Sequence, residues 1–317
     1  SSEPWRSTDL IANTTGIDAV LDGHSHSTIA MELVKNKDGK EIPLSSTGTK
    51  LVNIGKLTIS DGVFTTELVS DYAAKDDTTD VFVKSIQEKN EALVNTVVAR
   101  TSVDLTTKHS DGTRAIRNRE TNLGDLWADA LRWFAVSGEI NAAFDEDDVK
   151  AGNDRIAVDA DHVVALWNGG NLRADIAEGT FGAEALAEVL PFPNKVAVVY
   201  MTGAQLLETL EAASQGLPYT AETADVCASL MQVSGLTYTV DTAKAYDALE
   251  AYGDHWFTAD SVSRVRIDDV NGQPFDAEAT YAVVTSNANF NGMDSSYVLK
   301  AAAEANEQSA VTTAVVR

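Results

Sequence analysis

Two imidazoles set two residues apart, in the run Asp22-Gly23-His24-Ser25-His26, are the first groups in this chain able to do chemistry. They follow the apolar run Ile17 to Leu21, which predicts a short buried strand. His24 and His26 then project from its end into shared space, where neutral imidazole binds Zn or Mn readily. Nothing before them in the chain completes a metal site, so they read as half of a reaction centre.

Three further constellations lie downstream. Arg117-Asn118-Arg119-Glu120-Thr121-Asn122-Leu123-Gly124-Asp125-Leu126 puts arginines just before a predicted helix N-terminus, whose free N–H groups add to the attraction for an anion. In Trp167-Asn168-Gly169-Gly170-Asn171-Leu172-Arg173, the glycines let backbone approach a ligand closely, with an arginine behind them. Leu190-Pro191-Phe192-Pro193-Asn194 holds a ring on a stiff loop, suited to stacking on a base. Each has a purely structural alternative: an arginine paired with Glu120 or a helix end, glycines serving a turn, Phe192 in a core.

The elements that must position these groups follow from hydrophobic periodicity. Thr8 to Asn13 predicts a helix, and Leu51 to Ile59 followed by Phe64 to Val69 predicts a hairpin around Asp61-Gly62. From Thr79 to about Val98, Phe82, Ile86, Leu93 and Val97 recur near helical spacing, with Thr79 or Asp80 as cap, so a connector helix and a domain boundary fall there. Beyond it, Asn122 opens a helix with Leu123, Trp127, Ala130, Leu131 and Phe134 on one face, and Thr202-Gly203-Ala204-Gln205 is a capping box. Strands are predicted at His162 to Leu166, Lys195 to Tyr200, Leu236 to Val240, Val262 to Ile267 and Tyr281 to Thr285. This alternation gives an α/β or α+β domain. Ala314-Val315-Val316-Arg317 reads as part of an amphipathic helix, and both chain ends read as cuts.

With 317 residues and 44% hydrophobic content, the chain can build one large or two ordinary cores. Forty-eight acidic against 24 basic side chains give a net charge of −24, which repels nucleic acid polymers and anionic membranes. A mononucleotide is compatible with that charge, because a few arginines in a cleft reverse the field locally. No apolar run approaches the roughly 20 residues of a spanning helix, so no membrane insertion is expected. The single cysteine, Cys227, excludes an internal disulfide and reads as a small buried hydrophobe. The acidic run Asp145-Glu146-Asp147-Asp148, with Asp154, Asp159 and Asp161, lacks the spacing of a calcium loop and reads as solvated surface.

Taken in order, these elements resemble the 5′-nucleotidase family of bimetal phosphoesterases, which includes UDP-sugar hydrolases, ecto-5′-nucleotidases and 2′,3′-cyclic-nucleotide 2′-phosphodiesterases. The resemblance spans nearly the whole chain. It runs through His24 to His26, Gly48-Thr49-Lys50, Arg117 to Leu131, Asn168 to Arg173, Leu190 to Phe192, Met201 to Leu206, Gln232 to Leu236 and Asn291-Gly292-Met293-Asp294. It implies an α/β (mixed α+β) chain in three parts: residues 1–78 as the C-terminal remnant of a metallophosphatase β-sandwich domain, 79–100 as connector helix, and 101–317 as the substrate-binding domain. It further implies that His24 and His26 serve one each of two divalent metals, such as Zn or Mn. Arg117 and Arg173 would face phosphate and ribose, Asn168 a base edge beside Gly169 and Gly170, Phe192 the base face, and Asp294 the ribose hydroxyls. An extracellular or cell-wall location is implied in the same way.

The sequence departs from the family pattern in two respects. Where the family carries a second stacking phenylalanine the chain has Ala288, with Phe290 nearby, and the usual GGDG is Gly292-Met293-Asp294-Ser295. The metal-binding segments that precede the histidine pair in the family have no counterpart, and His109, His162 and His255 read as incidental surface or loop residues. The expectation is a nucleotide phosphoester hydrolase in full-length form, with this chain alone inactive. The rival is a non-catalytic nucleotide- or partner-binding module. Within the enzyme class, UDP-sugars, cyclic nucleotides and sulfur esters stay open as substrates.

Overall fold

The computed structural model describes residues 6–94, 96–144, 156, 158–218, 229–252, 256–259 and 262–316. Cys227, His255 and the acidic run 145–148 with Asp154 lie outside them. The chain divides into two compact units, Ser1–Ile86 and Gln87–Arg317.

The first unit opens with α1 (Ser7–Asn13), followed by β1 (Val20–Asp22), β2 (Thr28–Lys35) and β3 (Glu41–Thr47). β3 is central, parallel to β1 and antiparallel to β2. Its small core is Ile11, Ile42 and Leu44, with Ile17, Val20, Ile29 and Val34 packed around them. The predicted buried strand Ile17 to Leu21 is a correction: only Val20–Asp22 is extended, and Leu21 is largely exposed, because this edge strand has one neighbour. β4 (Ile54–Ser60) and β5 (Val63–Val69) form the predicted hairpin, its turn made by Asp61 and Gly62, both at positive φ. Every residue of β4 is exposed.

α2 (Asp77–Val94) carries the unit boundary within it. Its cap is Asp76, whose carboxylate accepts from the Thr79 N–H at 2.8 Å, rather than Thr79 or Asp80. Phe82 and Ile86 are exposed, and Val97 belongs to a strand instead of the helix.

In the second unit, β6 (Val97–Thr101) pairs with β8 (Gly179–Gly182), and between them lie α3 (Asn122–Val136) and β7 (Val163–Asn168). Then come α4 (Ala183–Val189), β9 (Lys195–Thr202), α5 (Gly203–Ala213), β10 (Met231–Ser234), β11 (Leu236–Val240), β12 (Ala248–Tyr252), β13 (Trp256–Ala259), β14 (Val265–Val270) and β15 (Gln273–Pro274). β16 (Thr280–Ser286), α6 (Asn287–Phe290), α7 (Tyr297–Ala305) and β17 (Ala310–Val315) complete it. The central sheet has the order β10-β7-β16-β9-β17; β7 and β16 are parallel and the other neighbours antiparallel.

Period-two alternation sorts the strand residues onto two buried faces. Val163, Ala165 and Trp167 of β7, with Val196, Val198 and Tyr200 of β9, pack under α3 through Leu123, Ala128, Leu131 and Ala135. Val164 and Leu166, with Val199 and Met201, pack on the other face against Leu206 and Leu210 of α5 and Leu299 and Ala302 of α7. The result is a three-layer α/β/α unit, consistent with the α/β reading. Ala130, expected on the α3 core face, is exposed, and Ala128 and Ala135 take the inward positions. The predicted C-terminal helix is instead β17, an edge strand antiparallel to β9. Its Val and Thr residues suit a strand once an edge is available to pair with.

Candidate functional site

Sheet topology brings four separate segments to one edge. Because β7 and β16 are parallel, the segments leaving them, 168–173 and 287–296, emerge on the same side. β9 runs antiparallel to β16, so the loop entering it, 190–194, joins them there. The fourth segment, 114–121, is held by Gln232 of β10. Its Nε2 donates to the carbonyls of Ile116 at 3.1 Å and Arg119 at 3.0 Å, while its Oε1 accepts from the Thr121 N–H at 3.1 Å. A Cβ on Gly124 would lie 2.0 Å from that same oxygen, which explains the glycine in the first turn of α3.

At the end of β7, Asn168 is fully buried and its amide is engaged at both ends. Nδ2 donates to Asp294 Oδ2 at 2.6 Å, and Oδ1 accepts from Asn171 Nδ2 at 2.6 Å. The residue expected at a base edge thus also orients a carboxylate. The neighbouring glycines are likewise buried, and a Cβ on Gly169 would come within 1.8 Å of the Ile116 carbonyl. That glycine permits the close approach of the arginine segment.

Asp294 sits in a tightly determined turn. Gly292, Asp294 and Ser295 all have positive φ (89°, 53° and 64°), a conformation that costs a non-glycine residue roughly 1–2 kcal/mol. Asn289 holds the turn: its Oδ1 accepts from Ser286 Oγ at 2.7 Å, and its Nδ2 donates to Ser296 Oγ at 2.9 Å. Burial pushes the Asp294 carboxyl above its ordinary range, and the nearby Arg117 and Arg173 only partly oppose this. Arg173 is itself shifted down, first by burial and then by Arg114, with Asp294 acting the other way. Two arginines thus face one strained carboxylate, with Arg114 beside Arg173, and backbone strain of this kind collects at ligand clamps.

Arg173 connects this charged group to the ring. Its backbone N–H donates to the Val189 carbonyl at 2.9 Å, and its guanidinium carbon lies 5.2 Å from the centre of the Phe192 ring. Phe192 remains 41% exposed, leaving a face open for stacking. Phe290 packs against the core cluster beneath α5 and α7 instead of standing free beside it. The structure therefore brings together Arg117, Asn168, Gly169, Gly170, Arg173, Phe192 and Asp294. Arg114, Asn171, Gln232 and Asn289 complete the arrangement. Asn171 and Gln232 lie inside motifs visible in the sequence, and the fold assigns them, with Arg114 and Asn289, their partners.

His24 and His26 lie in the first unit, exposed on the turn after β1 and both at positive φ. Among the described residues no group of three or more His, Cys, Asp or Glu side chains could hold a metal. Two imidazoles fit as partial donors to a metal centre and do not close one. His162 pairs with Asp159 at 2.7 Å at the start of β7, away from the edge just described.

Residues 97–301 match the family described as 5′-nucleotidase, C-terminal domain. The chain is 26% identical over 296 residues to the trifunctional nucleotide phosphoesterase protein YfkN of Bacillus subtilis, covering 89% of this chain and 17% of that protein. It is 25% identical over 291 residues to the cell wall protein Lmo0130 of Listeria monocytogenes, covering 88% and 32%. A 5′-nucleotidase precursor from Thermus thermophilus superposes with a TM-score of 0.64 at 26% identity, covering 92% of this chain and 54% of that one. A 5′-nucleotidase structure from Staphylococcus aureus, at 15% identity and a TM-score of 0.53, shares the fold. The chain spans about half or less of the length of these relatives. By the match over its second unit, this protein belongs to the 5′-nucleotidase family, through that family's C-terminal domain.

Proposed function

We propose that the second unit is the nucleoside-recognition part of a nucleotide phosphoester hydrolase, and that the first is the last part of its metallophosphatase domain. The observation that carries the reading is the Asn168–Asp294 pair at 2.6 Å, ringed by Arg117 and Arg173 and joined through Arg173 to the half-open Phe192 face. An ionised Asp294 accepts hydrogen bonds from vicinal ribose hydroxyls, in an orientation fixed by Asn168. Arg117 and Arg173 draw the phosphate to the same edge, and Phe192 takes the base on its exposed face. Binding of this kind positions the phosphoester, and positioning with charge neutralisation supplies most of the rate in phosphoryl transfer.

A divalent metal pair, when bound in the longer protein, supplies an activated water and further neutralisation of the phosphoryl oxygens. His24 and His26 would give one ligand each. The exposed strands of the first unit support its reading as part of a larger β-sandwich, since β4 leaves Leu57 and Ile59 exposed on one face and Ile54 on the other. The chain alone is expected to bind nucleotide without hydrolysing it. The absence of a closed donor set among the described residues, beside an assembled nucleoside edge, also favours a second reading: a binding module without catalysis. An extracellular or cell-wall location is proposed from the family and the Listeria relative's designation as a cell wall protein.

Calorimetric titration in EDTA with AMP, adenosine, UDP-glucose and 2′,3′-cyclic AMP tests the reading. Metal-independent binding, weakened by both Phe192→Ala and Asp294→Ala, is the expected result, and the ranking names the substrate class. Absence of binding at millimolar concentration overturns it. Hydrolysis by a longer version containing the preceding metal-binding segments would separate the enzyme from the binding module.

A further inference from the structure

The segment carrying Arg114 and Arg117 is closed by a side-chain lock. Residues 105–116 fold back as a tight hairpin: the His109 N–H donates to the Thr113 carbonyl at 2.8 Å, the Gly112 N–H to the His109 carbonyl at 2.9 Å, and Lys108 bridges Arg114. The next turn is fixed by the Asn118 N–H on the Ala115 carbonyl at 2.8 Å. Asn118 stands between hairpin and turn. Its Nδ2 donates to the Arg114 carbonyl at 2.8 Å, and its Oδ1 lies 3.0 Å from His109 Nε2.

A carbonyl oxygen can only accept, so the Arg114 contact fixes which end of the Asn118 amide carries the N–H groups. Oδ1 therefore faces the imidazole as an acceptor, and His109 must donate from Nε2. The histidine, half-buried, is thus joined through one amide to the backbone of Arg114, and that amide belongs to the residue directly after Arg117. These two arginines are the ones whose charges reach Arg173 and Asp294 at the site.

We infer that His109, acting through Asn118, is a positioning residue for the anion-binding arginines Arg114 and Arg117. The inference rests on the nucleotide-site reading above. It does not make His109 a ligand contact: the imidazole holds the turn, and the turn aims the guanidinium groups. Loss of the donor releases the turn and costs the part of binding that depends on arginine placement. The ring and the ribose carboxylate, carried on other loops, are left intact.

The test compares AMP with adenosine, which differ by the phosphate alone, on the full chain in EDTA. His109→Ala should weaken AMP by about tenfold, equivalent to about 1.4 kcal/mol, and leave adenosine within about twofold. His109→Gln, which keeps a side-chain N–H donor, should recover most of the AMP affinity, and Asn118→Ala should reproduce the His109→Ala pattern. Equal weakening of AMP and adenosine, or no change in either, overturns the inference while leaving the site reading in place. Loss of cooperative unfolding in both alanine variants also overturns it, because the pair would then be a general structural lock. Wild-type chain that binds neither compound overturns the site reading, and the inference with it.

Discussion

Strand β4 of the first unit and strand β9 of the second both carry several apolar residues and reach opposite states of burial. In the first unit, β4 carries Ile54, Leu57 and Ile59 through a hairpin paired along its whole length, and every residue of it is exposed. In the second, β9 buries all six residues from Val196 to Thr202's neighbour Met201, with a helical layer on each face. β4 is paired along one edge and β9 along both. The difference is the number of layers: the two-stranded hairpin meets the neighbouring sheet mainly through β5, where Thr66 Oγ1 donates to the Ala30 carbonyl at 2.7 Å, and leaves β4 to water, whereas a five-stranded sheet between helices removes both faces from water. Apolar patterning thus specifies which residues can be buried, and the surrounding layers decide whether they are.

The sharpest way to break this comparison is to truncate the second core. Leu206→Ala, at a fully buried position, should cost about 2–5 kcal/mol, read as a lower denaturation midpoint by circular dichroism. A loss below about 1 kcal/mol would mean that the second unit is packed no better than the first. Gly169→Ala tests the seam between core and site. A Cβ placed 1.8 Å from the Ile116 carbonyl must displace the arginine segment, with an expected cost of about 1–3 kcal/mol and weaker AMP binding.

A smaller effect is expected at the start of α3. Burial, reinforced by Glu120 and then Asp129, pushes the Asp125 carboxyl up to about 6. A folded-state value above the unfolded one means that the native state binds the proton more tightly. Its contribution to stability is therefore fully present below the ordinary value of 3.8 and is lost as pH rises through about 6. Asp125→Asn should flatten the stability profile across that window, measured by urea denaturation at a series of pH values; an unchanged slope would place the titrating group elsewhere. The smallest effect belongs to the first unit, where Ile59→Ala, on exposed β4, should change stability by no more than about 0.5 kcal/mol.

Local signals were read well wherever chemistry and geometry coincide within a few residues. The capping box at Thr202 and Gln205 forms as expected, and the strand Leu236–Val240 has the predicted limits. Readings failed where a distant partner decides. Val97 looked helical by spacing but pairs with Gly182, and the C-terminal Val and Thr residues become a strand because β9 presents an edge. The motif residues of the candidate site were visible, but their division of labour was not. Asn168 meets Asp294, Gly169 lies against the Ile116 carbonyl, and His109, incidental by its sequence context, meets Asn118 behind the arginines, and none of these partners is a neighbour in the chain.

The periodic elements, several of their caps, the acidic charge and the ordered motifs of the family are legible in the sequence alone. Those properties depend on neighbours along the chain, a few residues apart. Only the tertiary structure decided that Asn168 would hold Asp294 across 126 positions, that Gln232 would fasten the arginine segment, and that β4 would stay exposed while β9 was enclosed. Hydrogen-bond partners and covering layers of that kind come from strand order and from the direction in which each strand enters the sheet, and local pattern carries no record of either.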